Sequence, residues 1–334
     1  MPFLLGLVLI TAAATAYVAW ALRPAGPSAE RVTFEVPSGV GARSVVRALH
    51  DEGLIREPRV FLALLIWQGV DRRVGEGLYD LAPAMDAFEI AGALERGGRP
   101  RTVRLVIPEG SRLVDVARRL HTLGLAERDE ALALSEAPTQ RPSGVPDDAG
   151  LEGYLFPAVY EVPVGEPPER TFARMVARFE RELDDETLAR VEAAGLTVHA
   201  WVTIASIVQS EAANDAEMPI IAGVFLNRLD VGMPLQSDPT VAYGLGKDLP
   251  ALDFPGGDFA VDHPWNTYTR DGLPLGPIGN PGRSALESVL APARTTDDGT
   301  LWLYFLHGVS AHGPVFRPNV DLDGHVRDVN RYLR

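Results

Sequence analysis

The sequence contains no cysteine, and this absence removes several kinds of chemistry at once. Without thiols the chain cannot form disulfide bonds, bind zinc through thiolates or use a cysteine nucleophile. It also has no thiol that an oxidising compartment would crosslink, so the composition is compatible with export. Stability must come from a folded core, and 334 residues, of which 46% are hydrophobic, suffice for about two domains.

Positive charge is also scarce. Lys and Arg number 31 against 45 Asp and Glu, which gives a net charge of −14. This surplus of negative charge repels phosphate backbones, so we exclude nucleic acid as a partner. Histidine is infrequent as well, and His307, His312 and His325 do not form a recognised ligand pair on one helical face. We therefore predict no metal and no cofactor.

One long uncharged segment stands at the start of the chain. Residues 3–22 carry no charge, and about 20 residues at ~1.5 Å each match the ~30 Å apolar core of a bilayer. We predict a transmembrane anchor over residues 1–23, followed by a Pro- and Gly-containing linker over 24–30. A cleaved signal peptide is the alternative, because residues 12–16 are small. Charge does not determine the orientation, since Arg23 and Arg31 both follow the helix.

The next part of the chain repeats itself. Residues 32–54 return 71 positions later as residues 103–125, and a weaker copy covers 79–97. The coinciding positions include Pro37/Pro108, Gly39/Gly110, Leu49/Leu120, His50/His121, Gly53/Gly124 and Leu54/Leu125. Each copy has an alternating β-like run, a Pro/Gly turn and an amphipathic helix that ends at Gly. We predict small α/β repeat modules over residues 31–136 that hold a ligand or partner.

A second domain is expected beyond a loop. Residues 137–150 are rich in Pro, Gly and polar side chains and indicate a junction. After it, Phe172, Met175, Val176, Phe179 and Leu183 follow helical spacing. We place a second domain over residues 151–334, and the predicted fold class of the whole is α+β.

The segment Trp201–Ala212 contains the strongest catalytic candidate. On a helical wheel Trp201, Ile204, Ala205, Ile207, Val208 and Ala212 form one apolar stripe, with Thr203, Ser206 and Ser210 opposite. Glu211 falls inside that stripe. Loss of hydration raises the pKa of a carboxyl group, as a general acid near neutral pH requires. The alternative is a structural glutamate paired with a buried cation, for which Arg228 is available.

Several motifs in a fixed order connect this segment to a known family. They are Leu151-Glu-Gly-Tyr-Leu-Phe-Pro157, Ile207-Val-Gln-Ser-Glu211-Ala, Ala222-Gly-Val-Phe-Leu-Asn-Arg-Leu229, Met233-Pro-Leu-Gln-Ser-Asp-Pro-Thr-Val-Ala-Tyr-Gly244, Asn266-Thr-Tyr268 and Gly272-Leu-Pro-Leu-Gly-Pro-Ile-Gly-Asn-Pro-Gly282. Together they resemble the endolytic murein transglycosylases, which are membrane-anchored enzymes that cut nascent peptidoglycan. The resemblance extends to the anchor and to the repeats, which are similar to the LysM-like part of that family.

The resemblance implies roles for particular residues. The family's catalytic Glu falls on Glu211, and the predicted substrate contacts are Gln236, Ser237, Asp238, Tyr243, Asn266 and Tyr268. Two of these have structural alternatives, because Asp238 could cap a turn or helix before Pro239 and Tyr268 could serve packing. The chain departs from the family pattern at Gln209, at Pro157-Ala-Val159, at Trp265 and at Leu275.

The resemblance also implies a reaction and a setting. Glu211 would protonate the MurNAc–GlcNAc bond and then deprotonate the C6 hydroxyl of the muramic acid, which leaves 1,6-anhydro ends and terminates strand elongation. Implied partners are peptidoglycan strands and penicillin-binding proteins, on the periplasmic or extracytoplasmic side of the cell membrane. Two other functions remain open. One is a two-carboxylate muramidase that adds Asp215, Glu217, Asp238 or Glu152 to Glu211. The other is a peptidoglycan-binding scaffold without catalysis.

Overall fold

The computed structural model describes residues 2–333, and within them the side chains of residues 2–5 and 7 are not described. Residue 1 of the predicted anchor and residue 334 of the predicted second domain lie outside the described residues. The fold is mixed α+β, as predicted, with helices and three two-stranded sheets in the described part of the chain. It divides into two compact units between Val103 and Arg104.

The first unit begins with a helix and continues with alternating strands and helices. Its elements, in order, are α1 (Pro2–Ala21), β1 (Val32–Val36), α2 (Ala42–Asp51), α3 (Pro58–Gln68), β2 (Gly77–Leu81) and α4 (Ala87–Arg96). The strands β1 and β2 pair antiparallel with Phe34 opposite Tyr79. Both side chains are buried against Leu49, Leu65 and other apolar residues of α2, α3 and α4. The alternation of buried and exposed residues along β1 is what the sequence pattern predicts for a strand with one covered face.

The membrane anchor is not confirmed. Residues 2–21 do form the helix α1, but among the described side chains no single helix has both the length and the hydropathy needed to cross a membrane. The described apolar stretch of α1 covers Val8–Ala21. The length and hydropathy needed for a span are reached by two helices only in combination, namely Asp185–Ala193 and Val198–Glu211, and these are bent by 85° relative to each other. The anchor remains a prediction.

The second unit holds the remaining elements. After β3 (Thr102–Ile107), which crosses the division, they are α5 (Leu113–Thr122), α6 (Arg128–Glu136), β4 (Ala158–Pro163), α7 (Pro168–Glu180), α8 (Asp185–Ala193), α9 (Val198–Glu211), α10 (Met218–Asp230), α11 (Asp238–Gly244), α12 (Arg283–Leu290), β5 (His307–Ser310), β6 (Gly313–Phe316) and α13 (Leu322–Tyr332). The strands β3 and β4 form one sheet, and β5 pairs with β6 as an antiparallel hairpin.

The three copies of the repeat each fold as a strand followed by a helix, namely β1–α2, β2–α4 and β3–α5. The third of these differs from the predicted domain boundaries, because its core is completed far downstream. Leu105 and Ile107 of β3 share a buried cluster with Leu151, Leu155 and residues of β4 and α7. The predicted junction 137–150 therefore lies within the second unit. The LysM-like character of the modules remains a prediction.

A second cluster in this unit surrounds α9. The indole nitrogen of Trp201 donates to the Leu286 carbonyl in α12 at 2.9 Å, and residues of α10 cover another face of α9. The turn before β4 approaches the same helix closely. Gly153 has φ +89°, and a Cβ at that position would lie 2.5 Å from Pro277 and 2.9 Å from Val202, so only glycine fits there. This close approach places Glu152, the residue before Gly153, beside the N-terminal half of α9.

Candidate active site

Helix α9 carries Glu211 as its last residue, and it is buried over most of its length. Thr203 and Ser206, which lie opposite the apolar stripe on the helical wheel, are each only 1% exposed, so both faces of this part of the helix are covered. Their hydroxyls are satisfied within the helix, because Thr203 donates to the His199 carbonyl and Ser206 to the Thr203 carbonyl, both at 2.7 Å. Residues 201–208 are all buried, and the helix reaches partly open surfaces at its two ends, with Glu211 at the C-terminal one.

The carboxyl of Glu211 has one side-chain hydrogen bond among the residues described. Its Oε1 accepts a hydrogen bond from Ser237 Oγ at 2.6 Å. Burial, and to a smaller extent the charge of Asp238, raises the pKa of Glu211 from 4.5 to about 7. The Ser237 hydroxyl and the charge of Arg228 act in the opposite direction. A carboxyl group with this pKa can both give and take a proton near neutral pH.

Arg228 does not pair with Glu211. The guanidinium of Arg228, which is 8% exposed, donates instead to main-chain carbonyls: Nε to Leu303 at 2.7 Å, and Nη1 to Leu235 at 2.7 Å and to Pro234 at 3.2 Å. Within residues 2–333 no ion pair involves Glu211. Glu211 is therefore not a structural glutamate paired with a buried cation. Arg228 instead holds the segment that leads to Ser237.

Ser237 was expected to contact substrate, but it is buried and directed at Glu211. Its backbone nitrogen donates to Thr267 Oγ1 at 3.0 Å, and the Thr267 carbonyl accepts from the nitrogen of Gln236 at 3.1 Å. Thr267 thus holds the segment in place, a role that the sequence analysis did not assign to it. Its position between Asn266 and Tyr268 was the signal available.

Gln236 itself is exposed, with φ +53°, the one non-glycine residue with positive φ in the described part of the chain. Such backbone conformations are uncommon outside glycine and persist where the surrounding structure imposes them. Here Arg228 and Thr267 hold the residues on either side. Gln236 therefore presents its amide to solvent next to the Glu211 site.

Asp238 and Tyr268 form a pair beside Glu211. The Tyr268 hydroxyl donates to Asp238 Oδ1, and its ring packs edge-on against Phe259 with centroids 4.9 Å apart. Burial, together with Asp238, raises the pKa of Tyr268, so the hydroxyl keeps its proton. Asp238 is the first residue of α11 and makes no side-chain cap there, which does not favour the capping alternative. Its carboxylate remains exposed.

Asn266 has a different environment from the one expected. It is 2% exposed, and its amide nitrogen donates to the carbonyls of Phe259 at 3.0 Å and Val261 at 2.8 Å. Its Oδ1 accepts from the backbone nitrogen of Tyr268 at 2.8 Å. These bonds occupy both amide hydrogens, so the geometry assigns Asn266 to holding the loop rather than to contacting substrate.

Tyr243 also lies elsewhere, in a cleft of about 750 Å³ that is lined by Glu152 and, among the described residues, not by Glu211. Its hydroxyl donates to Glu152 Oε2 at 3.1 Å. Burial raises the pKa of Glu152 from 4.5 to about 7, against the smaller opposing effects of the bonds from Leu113 and Tyr243 and of the charge of Arg112. The second unit therefore contains two glutamates with similar pKa values in separate surroundings.

The other two acids considered beside Glu211 are engaged away from it. Asp215 accepts from Ser284 Oγ at 2.6 Å. Glu217 accepts from the Ala213 nitrogen and pairs with His307 Nε2, both at 2.9 Å. Gln209, which replaces an acid of the family pattern, accepts from the Gly282 nitrogen at 2.9 Å. Of the four alternative carboxylates, only Asp238 is a charge that acts on Glu211.

Comparison with known proteins gives a consistent result. Residues 34–331 match the sequence model of the YceG-like family. A Bacillus subtilis (strain 168) protein named endolytic murein transglycosylase is 29% identical over 289 residues, which cover 82% of this chain and 78% of that protein. A protein of the same name from Streptococcus pneumoniae serotype 2 (strain D39) is also 29% identical, over 95% of this chain and 61% of its own length. This chain thus spans less than two thirds of the pneumococcal relative.

A solved structure agrees with the sequence matches. The crystal structure of a YceG-like protein from Listeria monocytogenes superimposes with a TM-score of 0.57 at 28% identity, covering 90% of this chain and 99% of that one. The resemblance predicted from the motifs around Glu211 is confirmed, and the chain belongs to the YceG-like family.

Proposed function

We propose that this chain is an endolytic lytic transglycosylase that cleaves the MurNAc–GlcNAc bond of peptidoglycan and leaves 1,6-anhydro-MurNAc ends. The names of its relatives support a lyase acting on murein. The observation that carries the proposal is the carboxyl of Glu211, which has a pKa of about 7, a single side-chain partner and an opening to solvent.

Glu211 performs both proton transfers in the proposed reaction. Its protonated carboxyl donates to the glycosidic oxygen as the bond to C1 of the muramic acid breaks. The resulting carboxylate then takes the proton of the C6 hydroxyl of the same sugar, whose oxygen bonds to C1. No water is consumed, and the acid is regenerated. Because the nucleophile is already part of the sugar, a high effective molarity replaces a second catalytic carboxylate.

The neighbours of Glu211 suit this double role. The Ser237 hydroxyl donates to Oε1, which orients the carboxyl and leaves Oε2 for the substrate. Gln236 and Asp238 are exposed on the same segment, where an amide and a carboxylate can meet hydroxyl and acetamido groups of sugars. The negative charge of Asp238 also favours the positively charged transition state of glycosidic cleavage.

The cellular setting is part of the proposal. We place α1 in the cell membrane, with the remainder of the chain on the periplasmic or extracytoplasmic side. The strand–helix modules would act as LysM-like units that hold glycan. Cutting strands next to penicillin-binding proteins would then terminate their elongation.

A two-carboxylate muramidase is the second candidate, and one observation favours considering it. Asp238 is near enough to Glu211 to raise its pKa, so it could serve as the second carboxylate. Its bond from Tyr268 counts against this role, because that bond occupies Oδ1, one of the two oxygens that could act on the sugar or on water.

The products distinguish these functions. Full-length protein in detergent is incubated with uncrosslinked glycan, and the strand ends are analysed by mass spectrometry. We expect ends that are one water lighter than reducing ends, and ordinary reducing ends would refute the transglycosylase. Glu211→Gln should remove nearly all cutting, with Glu192→Gln on the exposed face of α8 as the matched control. Binding without any cutting by the unaltered protein would favour the scaffold.

A further inference from the structure

The cleft that contains Tyr243 has no role in the proposed reaction, although its volume of about 750 Å³ suits a ligand. It lies at the N-terminal end of α9, where His199 contributes to its wall. His199 is twelve residues before Glu211, which corresponds to about 18 Å along a helix at ~1.5 Å per residue. The His199 wall of the cleft therefore lies at the opposite end of α9 from Glu211.

Glu152 is the central polar group of the cleft. Its carboxyl oxygens accept from the Leu113 backbone nitrogen at 3.2 Å and from the Tyr243 hydroxyl at 3.1 Å. These neutral donors fix its orientation but do not balance its charge. Within residues 2–333, no Lys or Arg nitrogen lies within ion-pair distance of Glu152. A covered carboxylate without a cation is costly, and a cationic ligand would remove that cost.

The nearest cation is committed elsewhere. Arg112 also lines the cleft, but its Nη2 donates to Asp248 at 3.0 Å and its Nη1 to the Lys247 carbonyl at 3.3 Å. Its Nε lies 3.9 Å from Asp115. The charge of Arg112 lowers the pKa of Glu152, but the guanidinium bonds to other groups and makes no ion pair with that carboxyl.

The rest of the lining adds to the negative potential. Glu136 and Asp148 are exposed on the wall of the cleft, and among its described lining residues Arg112 is the one Lys or Arg. His199 adds no free donor, because its ring nitrogens contact the Tyr154 hydroxyl at 2.6 Å and the Leu275 carbonyl at 3.0 Å. A site with three acids and one committed arginine favours a positively charged ligand.

Two aromatic rings line the same cleft. Tyr243 and Trp265 both line the cleft, with ring centroids 5.4 Å apart, and the Trp265 indole is fixed by a bond to the Gly276 carbonyl at 3.1 Å. The faces of such rings attract ammonium groups, and the attraction grows when water is excluded. Acids and aromatic faces therefore point to the same class of ligand.

We propose that the Glu152 cleft binds an organic ammonium group carried by a peptide. The identity of the carrier rests on the proposed function: in peptidoglycan the stem peptides present the primary amine of a diamino acid. The cleft would then hold a stem peptide away from the scissile bond and select strands whose amine is free.

Binding to the full-length protein in detergent tests the proposal without requiring catalysis. The probes are N-acetyl-Ala-γ-Glu-Lys, whose one amine is on the lysine side chain, and the same peptide acetylated on that side chain as well, measured by calorimetry. We expect the free amine to bind at least about tenfold more tightly than the acetylated form, which corresponds to ~1.4 kcal/mol. Equal affinity for the two peptides would overturn the proposal and would favour a neutral ligand.

Two variants assign the effect to the cleft. Glu152→Gln keeps an oxygen for the Leu113 nitrogen but removes the charge, so it should lose most of the discrimination between the two peptides. Glu136→Gln should reduce the discrimination in part, and it serves if Glu152→Gln does not fold. Glu130→Gln, which changes an exposed acid on the same helix as Glu136, is the matched control and should behave as the unaltered protein.

Full discrimination between the two peptides in both cleft variants would refute the assignment. If binding is found but no glycan is cut, the proposed function fails and the ammonium site stands.

Discussion

Glu211 and Glu152 are two half-covered glutamates of the same unit, and burial raises the pKa of each to about 7. Their surroundings nevertheless differ. Glu211 ends a buried helix, has one hydroxyl partner and feels the charge of Asp238. Glu152 accepts from a backbone nitrogen, that of Leu113, and from the Tyr243 hydroxyl, and it lies in a large cleft lined with aromatic rings. A raised pKa therefore indicates only that a carboxyl is desolvated, and the neighbours determine what it can do.

The largest expected difference between the two sites is in the rate of cutting. Glu211→Gln removes the proton donor and should lower kcat by roughly 10²- to 10⁴-fold, the usual contribution of a general acid. Glu152→Gln should leave kcat nearly unchanged and raise KM for strands that carry stem peptides. Both constants can be measured by quantifying anhydro ends. A loss of kcat in Glu152→Gln equal to that in Glu211→Gln would mean that the sites are not separate.

Arg228 should stabilise the part of the fold around Glu211 and should not affect the Glu152 cleft. Arg228→Met leaves the carbonyls of Leu303, Leu235 and Pro234 without a charged donor, and we expect a loss of about 3 kcal/mol in the free energy of unfolding. Urea denaturation measures this. Arg190→Met, which removes an exposed pair with Glu287, is the control and should cost less than about 1 kcal/mol. Loss of peptide binding in folded Arg228→Met would couple the cleft to the Glu211 site.

The pH dependence of stability tests whether the two carboxyls are equally desolvated. In the unfolded chain each ionises near pH 4.5, and in the folded chain near pH 7. Between these values the folded state holds a proton that the unfolded state has lost, so stability is full below pH 4.5 and falls as pH rises towards 7. Each group contributes a slope of up to about 1.4 kcal/mol per pH unit.

Glutamine at either position removes that group's share of the slope. Urea unfolding at pH 5, 6, 7 and 8 should therefore give a flatter profile for Glu152→Gln and for Glu211→Gln, by similar amounts. If Glu152→Gln keeps the full slope, its carboxyl is solvated and the comparison between the two sites fails.

The smallest expected effect concerns the hydroxyl of Ser237, which donates to Glu211. Ser237 stabilises the anion of Glu211 and lowers its pKa, so Ser237→Ala should raise that pKa. Because the reaction begins with protonated Glu211, the alkaline limb of kcat/KM should move to higher pH, by less than about one unit. Ser284→Ala, which loses a similar bond to Asp215, is the control. An unmoved limb would exclude Ser237 as a partner of the reacting carboxyl.

The local pattern of the chain was sufficient to predict several features. Alternation and turn residues predicted the strand–helix copies, because the facing of side chains repeats with a fixed period in strands and helices. The same periodicity placed Glu211 on an apolar stretch. It did not show that Thr203 and Ser206 are covered as well, since a wheel cannot count how many neighbours pack around a helix.

Contacts between segments that are distant in the chain could not be predicted from periodicity or motifs. Ser237 meets Glu211 across 26 positions, and Tyr243 meets Glu152 across 91. The sequence grouped Tyr243, Asn266 and Tyr268 through motifs, whereas the fold puts Tyr243 in the cleft and uses Asn266 to hold a loop. Motifs report which residues a family contains, and they do not report which side of a helix or loop each one faces.

The sequence by itself therefore determined the elements, the family and the helix that ends at Glu211, because these depend on short-range periodicity and on ordered motifs. Only the tertiary structure decided that Arg228 binds carbonyls rather than Glu211, and that a second carboxyl lies in a separate cleft. The physical reason is that hydrogen-bond partners and desolvation depend on segments remote in the chain, which meet only when the core forms.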